Sequence, residues 1–171
     1  MANTFELIQS ATVGSGGAAS ITFMNTGNIP ATYTNLCVKI SSRSNRSDTN
    51  DFLKISYNGL TTNLSHKALS GDGSTANTGS DASYIYGRLP GNTATSNTFG
   101  NAEFYIPNYA GSTAKSVSGD TVMENNATYS VQYMLAGLWN STSAITSITL
   151  APYYGSFMQY STAYLYGVKN A

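Results

Sequence analysis

The chain has 171 residues, only 9% of them charged, and its formal net charge at pH 7 is zero. This length predicts one domain over residues 1–171, and the lack of excess positive charge excludes electrostatic binding of nucleic acid or of an anionic membrane surface. The polar positions are filled instead by 23 Ser, 21 Thr and 17 Asn. Because these residues compete with helices or suit a pleated surface, the composition predicts an all-β protein.

The N-terminal half contains short runs in which apolar and polar residues alternate with a period of two, as expected for strands. A first pair of strands is predicted at 4–13 and 18–24, joined by a hairpin turn at Gly14-Ser15-Gly16-Gly17. Strands follow at 35–43 and 52–57, and Asn58-Gly59 predicts a tight turn before strand 63–69. Residues 70–82 contain no large apolar side chain and are predicted to form a long exposed loop.

In the C-terminal half, strand 84–89 precedes a second polar loop at 90–97, and further strands are predicted at 99–107, 113–123, 129–139, 144–150 and 159–168. Gly119 is interpreted as a bulge. The apolar stretch at 136–139 indicates a central strand. Short strands at regular spacing predict an antiparallel two-sheet β-sandwich of jelly-roll type.

Groups that could carry catalysis are scarce. His66 is the single histidine and Cys37 the single cysteine, and no G-x-S-x-G motif accompanies them, so neither a nucleophilic triad nor a zinc site is indicated. His66 is interpreted as a strand residue making an ordinary hydrogen bond. Cys37 is interpreted as a small buried side chain, with a reactive thiol as the alternative.

The acidic residues permit one more hypothesis, since a glycosidase needs two carboxylates. The pairs nearest in sequence are Asp48 with Asp51 and Asp120 with Glu124, and all four are interpreted as partners of nearby cations. Asp72 lies between two glycines, as in a fragment of a calcium loop, but the further acids that a calcium loop needs are missing. The sequence therefore predicts no enzyme activity, no catalytic residue, no cofactor and no metal site.

Aromatic residues provide the candidate contact site. The chain has 13 Tyr and one Trp, and aromatic rings can stack on sugars or pack where subunits meet. The candidate residues for contact with a glycan or a protein partner are Tyr153, Tyr154, Phe157 and Trp139. Packing in the core or at a subunit interface is the favoured interpretation of these rings, and contact with a glycan is the alternative.

Ten short segments distributed along the chain can be compared with a known family. In the first half of the chain they are 5–8 (FELI), 13–20 (VGSGGAAS) and 29–34 (IPATYT). In the second half they are 97–100 (NTFG), 106–111 (IPNYAG), 115–116 (KS), 124–128 (ENNAT), 136–139 (AGLW), 144–148 (AITSI) and 160–167 (YSTAYLYG). These segments resemble a family of tailed-bacteriophage virion proteins from phages of marine and freshwater bacteria. The resemblance spans almost the whole chain and implies a place on the phage particle, with no catalytic residues to carry over.

The expected function is that of a capsid decoration or cement protein on the phage head, assembled as a homotrimer with capsid proteins as its partners. The alternative is a tail-fibre or adhesin module that binds host surface glycan. The start of the chain has no signal-peptide pattern and no apolar run is long enough to span a membrane, so we expect synthesis in the host cytoplasm and release by lysis within the virion. The arm at 1–6 and the loop at 70–82 are predicted to reach a neighbouring protein.

Overall fold

A computed structural model describes residues 4–24, 26–126 and 129–169. These residues form twelve strands, and there is no helix among them. The strands are β1 (Phe5–Thr12), β2 (Ile21–Phe23), β3 (Asn35–Ser42), β4 (Asn50–Tyr57), β5 (Leu64–Gly71), β6 (Ala76–Asp81), β7 (Ile85–Pro90), β8 (Gly100–Pro107), β9 (Lys115–Met123), β10 (Val131–Trp139), β11 (Ile148–Pro152) and β12 (Thr162–Val168).

The strands form two antiparallel sheets, which confirms the predicted β-sandwich. The larger sheet has eight strands in the order β1-β12-β3-β8-β9-β10-β5-β6, and the smaller has four in the order β2-β11-β4-β7. The jelly-roll connectivity stays a prediction. Within the described ranges no helix is long and apolar enough to cross a membrane.

Alternating side chains explain how the sheets pack. Along β10 the odd-numbered residues are buried and the even-numbered residues are exposed, as expected for a strand with one face on a core. The inner faces of both sheets share one apolar cluster, whose largest fully buried rings are those of Trp139, Tyr57, Tyr109, Phe23, Phe104 and Phe157. Burying one apolar side chain of this kind contributes about 1.5–3 kcal/mol, so this cluster is the main source of stability.

The prediction of a long loop at 70–82 is wrong for most of these residues. Residue 71 ends β5, a short turn follows, and Ala76–Asp81 forms β6, paired with β5 in a continuous register. This strand lies at the edge of the eight-stranded sheet, where its side chains are exposed or half-buried. Because β6 buries no large apolar side chain, it has no hydrophobic alternation by which the sequence could reveal it. Of the arm predicted to reach a neighbour, residues 1–3 lie outside the described residues and Phe5 begins β1.

The first two strands do not form the predicted hairpin. β1 pairs with β12 in the larger sheet, whereas β2 pairs with β11 in the smaller one. The glycine turn itself is present, since the Gly17 N–H donates to the Gly14 carbonyl at 3.1 Å and Gly17 has a φ of 71°. The turn therefore connects a strand of the larger sheet to a strand of the smaller sheet. The glycine pattern of the turn does not distinguish such a connection from a hairpin.

The second predicted loop is present between β7 and β8 and is held by Arg43. The side chain of Arg43 is buried, and its guanidinium donates to four backbone carbonyls between residues 92 and 98 at 2.6–3.1 Å. Bonds from a charged donor are stronger than neutral ones. A polar loop with few apolar contacts is thus fixed against the sandwich.

Gly119 is not a bulge. It lies in continuous register opposite Leu135 on β10 and Phe104 on β8, and the register shift in this sheet falls instead between Leu7 and Gln9 of β1. A Cβ at residue 119 would lie 2.9 Å from both Leu135 Cγ and Phe104 Cδ1. Glycine is therefore present here because two large core side chains occupy the space above it.

Replacing Gly119 by alanine should lower the free energy of unfolding by about 1–3 kcal/mol, since the added methyl group overpacks the core. The matched control is Gly14→Ala, where a Cβ would have no atom within 4 Å, and a change below about 0.5 kcal/mol is expected. Urea denaturation of both variants measures the difference. Equal unfolding midpoints for the two variants would contradict this account of Gly119.

Candidate functional site

The four predicted contact residues separate into two exposed and two buried side chains. Tyr153 and Tyr154, which follow β11, are 39% and 61% exposed, whereas Phe157 and Trp139 are each 1% exposed. Trp139 ends β10 on its buried side, and its ring centroid lies 5.6 Å from that of Tyr57. A ligand at the surface does not reach a core ring, so the structure removes Phe157 and Trp139 from the candidate contact site.

Tyr153 and Tyr154 belong to a larger group of rings, which we call the aromatic patch. The other members are Phe52 on β4, Tyr86 on β7 and Tyr84 just before β7. The ring centroids lie 4.6 Å apart for Tyr153 and Tyr154, 4.7 Å for Phe52 and Tyr86, and 5.5 Å for Tyr84 and Tyr153, all in edge-to-face contact. These distances are within the range in which aromatic rings attract each other, so the rings hold one another in place.

Three cationic side chains lie over the rings of the aromatic patch. The nearest distances from charged group to ring centroid are 4.3 Å for Arg46, 4.1 Å for Arg88 and 4.6 Å for Lys54, close enough for cation–π attraction. Arg46 also pairs with Asp48 at 2.9 Å, and Arg88 donates to the Asn50 side chain at 2.9 Å. The patch is therefore a mixed surface of rings, hydroxyls and cations rather than a purely apolar one.

A buried carboxylate fixes the segment that carries Tyr153 and Tyr154. Asp51 is fully buried, and its Oδ1 accepts the backbone N–H of Phe52 at 2.7 Å and of Tyr154 at 3.3 Å, while its Oδ2 accepts that of Gly155 at 3.1 Å. The N–H of Tyr153 donates to the carbonyl of Phe52 at 2.9 Å. The exposed tyrosines are thus attached to β4 through their backbone and are held in place without a ligand.

His66 supports the aromatic patch from the inner face of the larger sheet. Its ring centroid lies 4.3 Å from that of Tyr86, its Nδ1 donates to the Tyr84 carbonyl at 2.8 Å, and its Nε2 lies 3.2 Å from the Tyr133 hydroxyl. The side chain is buried on β5. The interpretation of His66 as a hydrogen-bonded strand residue is confirmed.

The hydroxyl group of Tyr153 stays protonated near neutral pH. The pKa of Tyr153 is raised, first because its phenolate would lie close to that of Tyr84, and then by partial burial. Protonated hydroxyls both donate and accept hydrogen bonds. Together with the Lys54 ammonium they supply the polar groups that a stacked ligand needs.

Cys37 and Asp72 have structural roles. Cys37 is buried on β3, which confirms its interpretation as a small buried side chain, and burial raises the pKa of its thiol to about 11. Asp72 accepts the backbone N–H of Ser74 at 2.9 Å and of Thr75 at 2.7 Å in the turn between β5 and β6, and these bonds lower its pKa. In the described part of the chain no three His, Cys, Asp or Glu side chains come together as a metal site requires.

The second candidate surface is the outer face of the eight-stranded sheet, the side that points away from the smaller sheet. A groove of about 720 Å³ runs across β5, β8, β9 and β10 on this face. Leu69 and Met134 are directly paired across β5 and β10 and are 53% and 56% exposed. Other exposed apolar side chains on the same face are Leu138 on β10, Phe5 and Leu7 on β1, and Tyr164 on β12.

The groove contains a pair of acids that the sequence did not suggest. Glu103 on β8 is directly paired with Asp120 on β9. Lys39 forms an ion pair with Glu103 at 2.9 Å, and Gln132 donates to Asp120. Directly opposed like charges destabilise a sheet, and here each carboxylate has a partner that offsets this cost.

The predicted acid pairs differ in what they bind. Asp48 binds Arg46, as predicted. For Asp51 and Glu124 the predicted cation partners are wrong, since Asp51 accepts three backbone N–H groups and Glu124 accepts that of Asn126 at 2.7 Å. Chain turns place these amide donors beside the carboxylates, and such proximity depends on the fold.

The sequence analysis missed Phe52, Lys54, Tyr84 and Tyr86 as members of the site. A signal existed, because residues 52–57 alternate and Leu53 and Ile55 take the buried side, which leaves Phe52 and Lys54 together on the solvent side. A large aromatic residue on the solvent side of a strand indicates a contact surface.

No protein-family model matches the chain, and no curated protein matches its sequence. The function is therefore argued from the aromatic patch, from the outer face of the larger sheet and from the composition.

Replacing Asp51 by alanine is expected to release the segment that carries Tyr153 and Tyr154. Three backbone N–H groups lose a charged acceptor, so the free energy of unfolding should fall by about 2–5 kcal/mol, and the amides of Tyr154 and Gly155 should exchange faster with D₂O. The control is Asp72→Ala, an exposed carboxylate that also accepts turn amides, for which a loss below about 1 kcal/mol is expected. Unchanged protection of the Tyr154 and Gly155 amides in the Asp51 variant would show that the anchor lies elsewhere.

Proposed function

We propose that this protein is a non-enzymatic structural component of a bacteriophage particle, a decoration or cement protein on the surface of the head. The main support for the proposal is that most of the exposed apolar side chains lie on one face of the protein. Ten large hydrophobic side chains are exposed in the described residues, and six of them, Phe5, Leu7, Leu69, Met134, Leu138 and Tyr164, lie on the outer face of the eight-stranded sheet. This face is the docking surface in the proposal.

The size of the outer face fits a stable interface. Eight strands at a spacing of about 4.8 Å, each about 25 Å long, give an area of very roughly 800–900 Å². A standard protein interface buries about 800 Å² on each partner. The apolar side chains lie towards both ends of this face, and the Lys39–Glu103 ion pair and Asp120 lie between them. Such charged groups fix register and partner choice in an interface.

Composition and sequence resemblance support the same proposal. A surface with few charged groups has little electrostatic repulsion, a property that suits a protein that works inside an assembly. The segments that resemble phage virion proteins are distributed along the chain. The partners in this proposal are capsid proteins and further copies of the chain, with the homotrimer expected from the sequence.

The proposal includes that the protein has no enzyme activity. Asp51 and Asp48 are engaged in local bonds within the fold, which suits a structural role. The groove acids Glu103 and Asp120 are the best alternative to test. A hydrolytic activity that disappears in a folded Glu103→Gln, Asp120→Asn double variant would contradict the non-enzymatic proposal.

Replacing both Leu69 and Met134 by lysine should abolish binding of the protein to phage heads that lack it. The two ammonium groups would be buried without partners at the interface, a change that costs several kcal/mol. The control is Leu60→Lys, a similarly exposed leucine in the turn after β4, which should bind like the unmodified protein. Sedimentation of heads with bound protein provides the measurement. Full binding by the double variant, with a normal melting temperature, would reject the outer face as the docking surface.

A tail-associated adhesin that binds host surface glycan is the second candidate. The specific observation in its favour is the aromatic patch, where Tyr153 and Tyr154 are exposed on a segment held by buried Asp51. Core packing does not require these two rings, because they remain accessible to solvent. Exposed rings in a fixed position are suited to stacking against a sugar.

The number of copies per virion distinguishes the two candidates. Quantitative mass spectrometry of purified particles, referred to the major capsid protein, should find copies in the hundreds if the protein decorates the head lattice. Copies of a few tens or fewer would place it in the tail or a fibre, and would overturn the head assignment.

A further inference from the structure

The aromatic patch contains a cation that no protein carboxylate neutralises. The ion pairs within the described residues join Lys39 to Glu103, Arg46 to Asp48 and Lys169 to Glu6, and Lys54 takes part in none of them. Lys54 lies on β4, paired with Tyr86 on β7. Its position among the rings is therefore not explained by a salt bridge.

Three carboxylates in the segments around the patch already have partners. Asp48 binds Arg46, and Asp51 accepts the backbone N–H groups of the tyrosine segment. Asp81 accepts the backbone N–H of Ser83 at 2.6 Å and of Tyr84 at 2.9 Å. These carboxylates build the loops around the patch. Arg88 also takes part in no ion pair within the described residues, but its guanidinium donates to the Asn50 side chain at 2.9 Å and lies over the Phe52 ring. Lys54 is therefore the charged donor beside Tyr153.

The position of Lys54 suits a ligand that has both an apolar ring face and an anionic group. Its Nζ lies 4.6 Å from the ring centroid of Tyr153 and 5.3 Å from that of Tyr84. A group resting on Tyr153 would therefore lie within a few ångströms of the ammonium. Since Asp51 holds the tyrosine segment to β4, the ring and the ammonium keep this geometry before a ligand binds, which lowers the entropic cost of binding.

We propose that the aromatic patch binds an acidic saccharide, with a sugar ring stacked on Tyr153 and in contact with Tyr154, and with the sugar carboxylate bound to Lys54. The hydroxyl groups of Tyr84 and Tyr153 provide further hydrogen bonds to the sugar. The proposal names the ligand class for the glycan binding of the second candidate above and rests on that glycan binding, not on a location in the tail. The patch and the outer face of the larger sheet belong to different sheets of the sandwich, so the same ligand could bind to the protein on the head or in the tail.

The test is a binding titration with a panel of oligosaccharides that carry uronic or sialic acids, each beside its carboxyl-reduced neutral counterpart. The unmodified protein should bind at least one acidic sugar about tenfold more tightly than its neutral counterpart, and added salt should narrow the difference. Lys54→Gln should remove the preference, whereas Lys54→Arg should retain most of it. Tyr153→Ala should weaken binding of both sugars about tenfold or more. Tyr160→Ala, which removes an exposed ring outside the patch, should change neither affinity by more than about twofold.

The outcomes separate the inference from the function on which it rests. Equal affinity for acidic and neutral sugars, unchanged by Lys54→Gln but lost in Tyr153→Ala, would overturn the acidic ligand and leave glycan binding in place. Binding to no member of the panel would overturn both the acidic ligand and glycan binding. Melting temperatures of all variants establish that each loss of affinity occurs in a folded protein.

Discussion

The packing of a four-stranded sheet against a sheet twice as wide is the constraint on which the rest of the structure depends. The narrow sheet covers only part of the inner face of the wide one, and its edge strand β7 lies against β9 and β10. At this edge His66 and Tyr133 of the wide sheet meet Tyr86. The aromatic patch begins at this contact and continues outwards, so its location follows from the difference in sheet width.

Polar side chains hold the loops that have too few apolar contacts to be fixed by the core. Cys37 is the single cysteine, so the chain has no disulfide of its own to hold its loops. Arg43 holds the loop between β7 and β8, and Asp51 holds the segment after β11. Asn58 does the same before β11, where its Oδ1 accepts the N–H of Thr146 at 2.8 Å. Each of these side chains satisfies backbone atoms that would otherwise be unpaired, and loops with few apolar contacts become fixed structures.

The two candidate surfaces lie on different sheets, and this separation allows each surface to bind a different partner. The outer face of the eight-stranded sheet has the extent and apolar content of a docking surface. The aromatic patch, built mainly on β4, β7 and the segment after β11, would remain accessible after such docking. A protein bound to a particle through the larger sheet would thus present fixed tyrosines and Lys54 to the surroundings.

The sequence by itself determined the fold class and most of the strands, because alternation of apolar and polar residues directly reflects burial of one strand face. It also indicated that Tyr153 and Tyr154 lie in a loop, where the structure finds them exposed, since two adjacent tyrosines between Pro152 and Gly155 do not fit a strand pattern. Only the tertiary structure decided that Trp139 and Phe157 are core residues, that β6 exists and that β1 and β2 belong to different sheets. It alone joined Phe52, Tyr86 and Lys54 to the patch and placed Glu103 opposite Asp120. The physical reason is that sheet pairing and ring contacts join residues far apart in the chain, whereas periodicity and turn chemistry report only on neighbours.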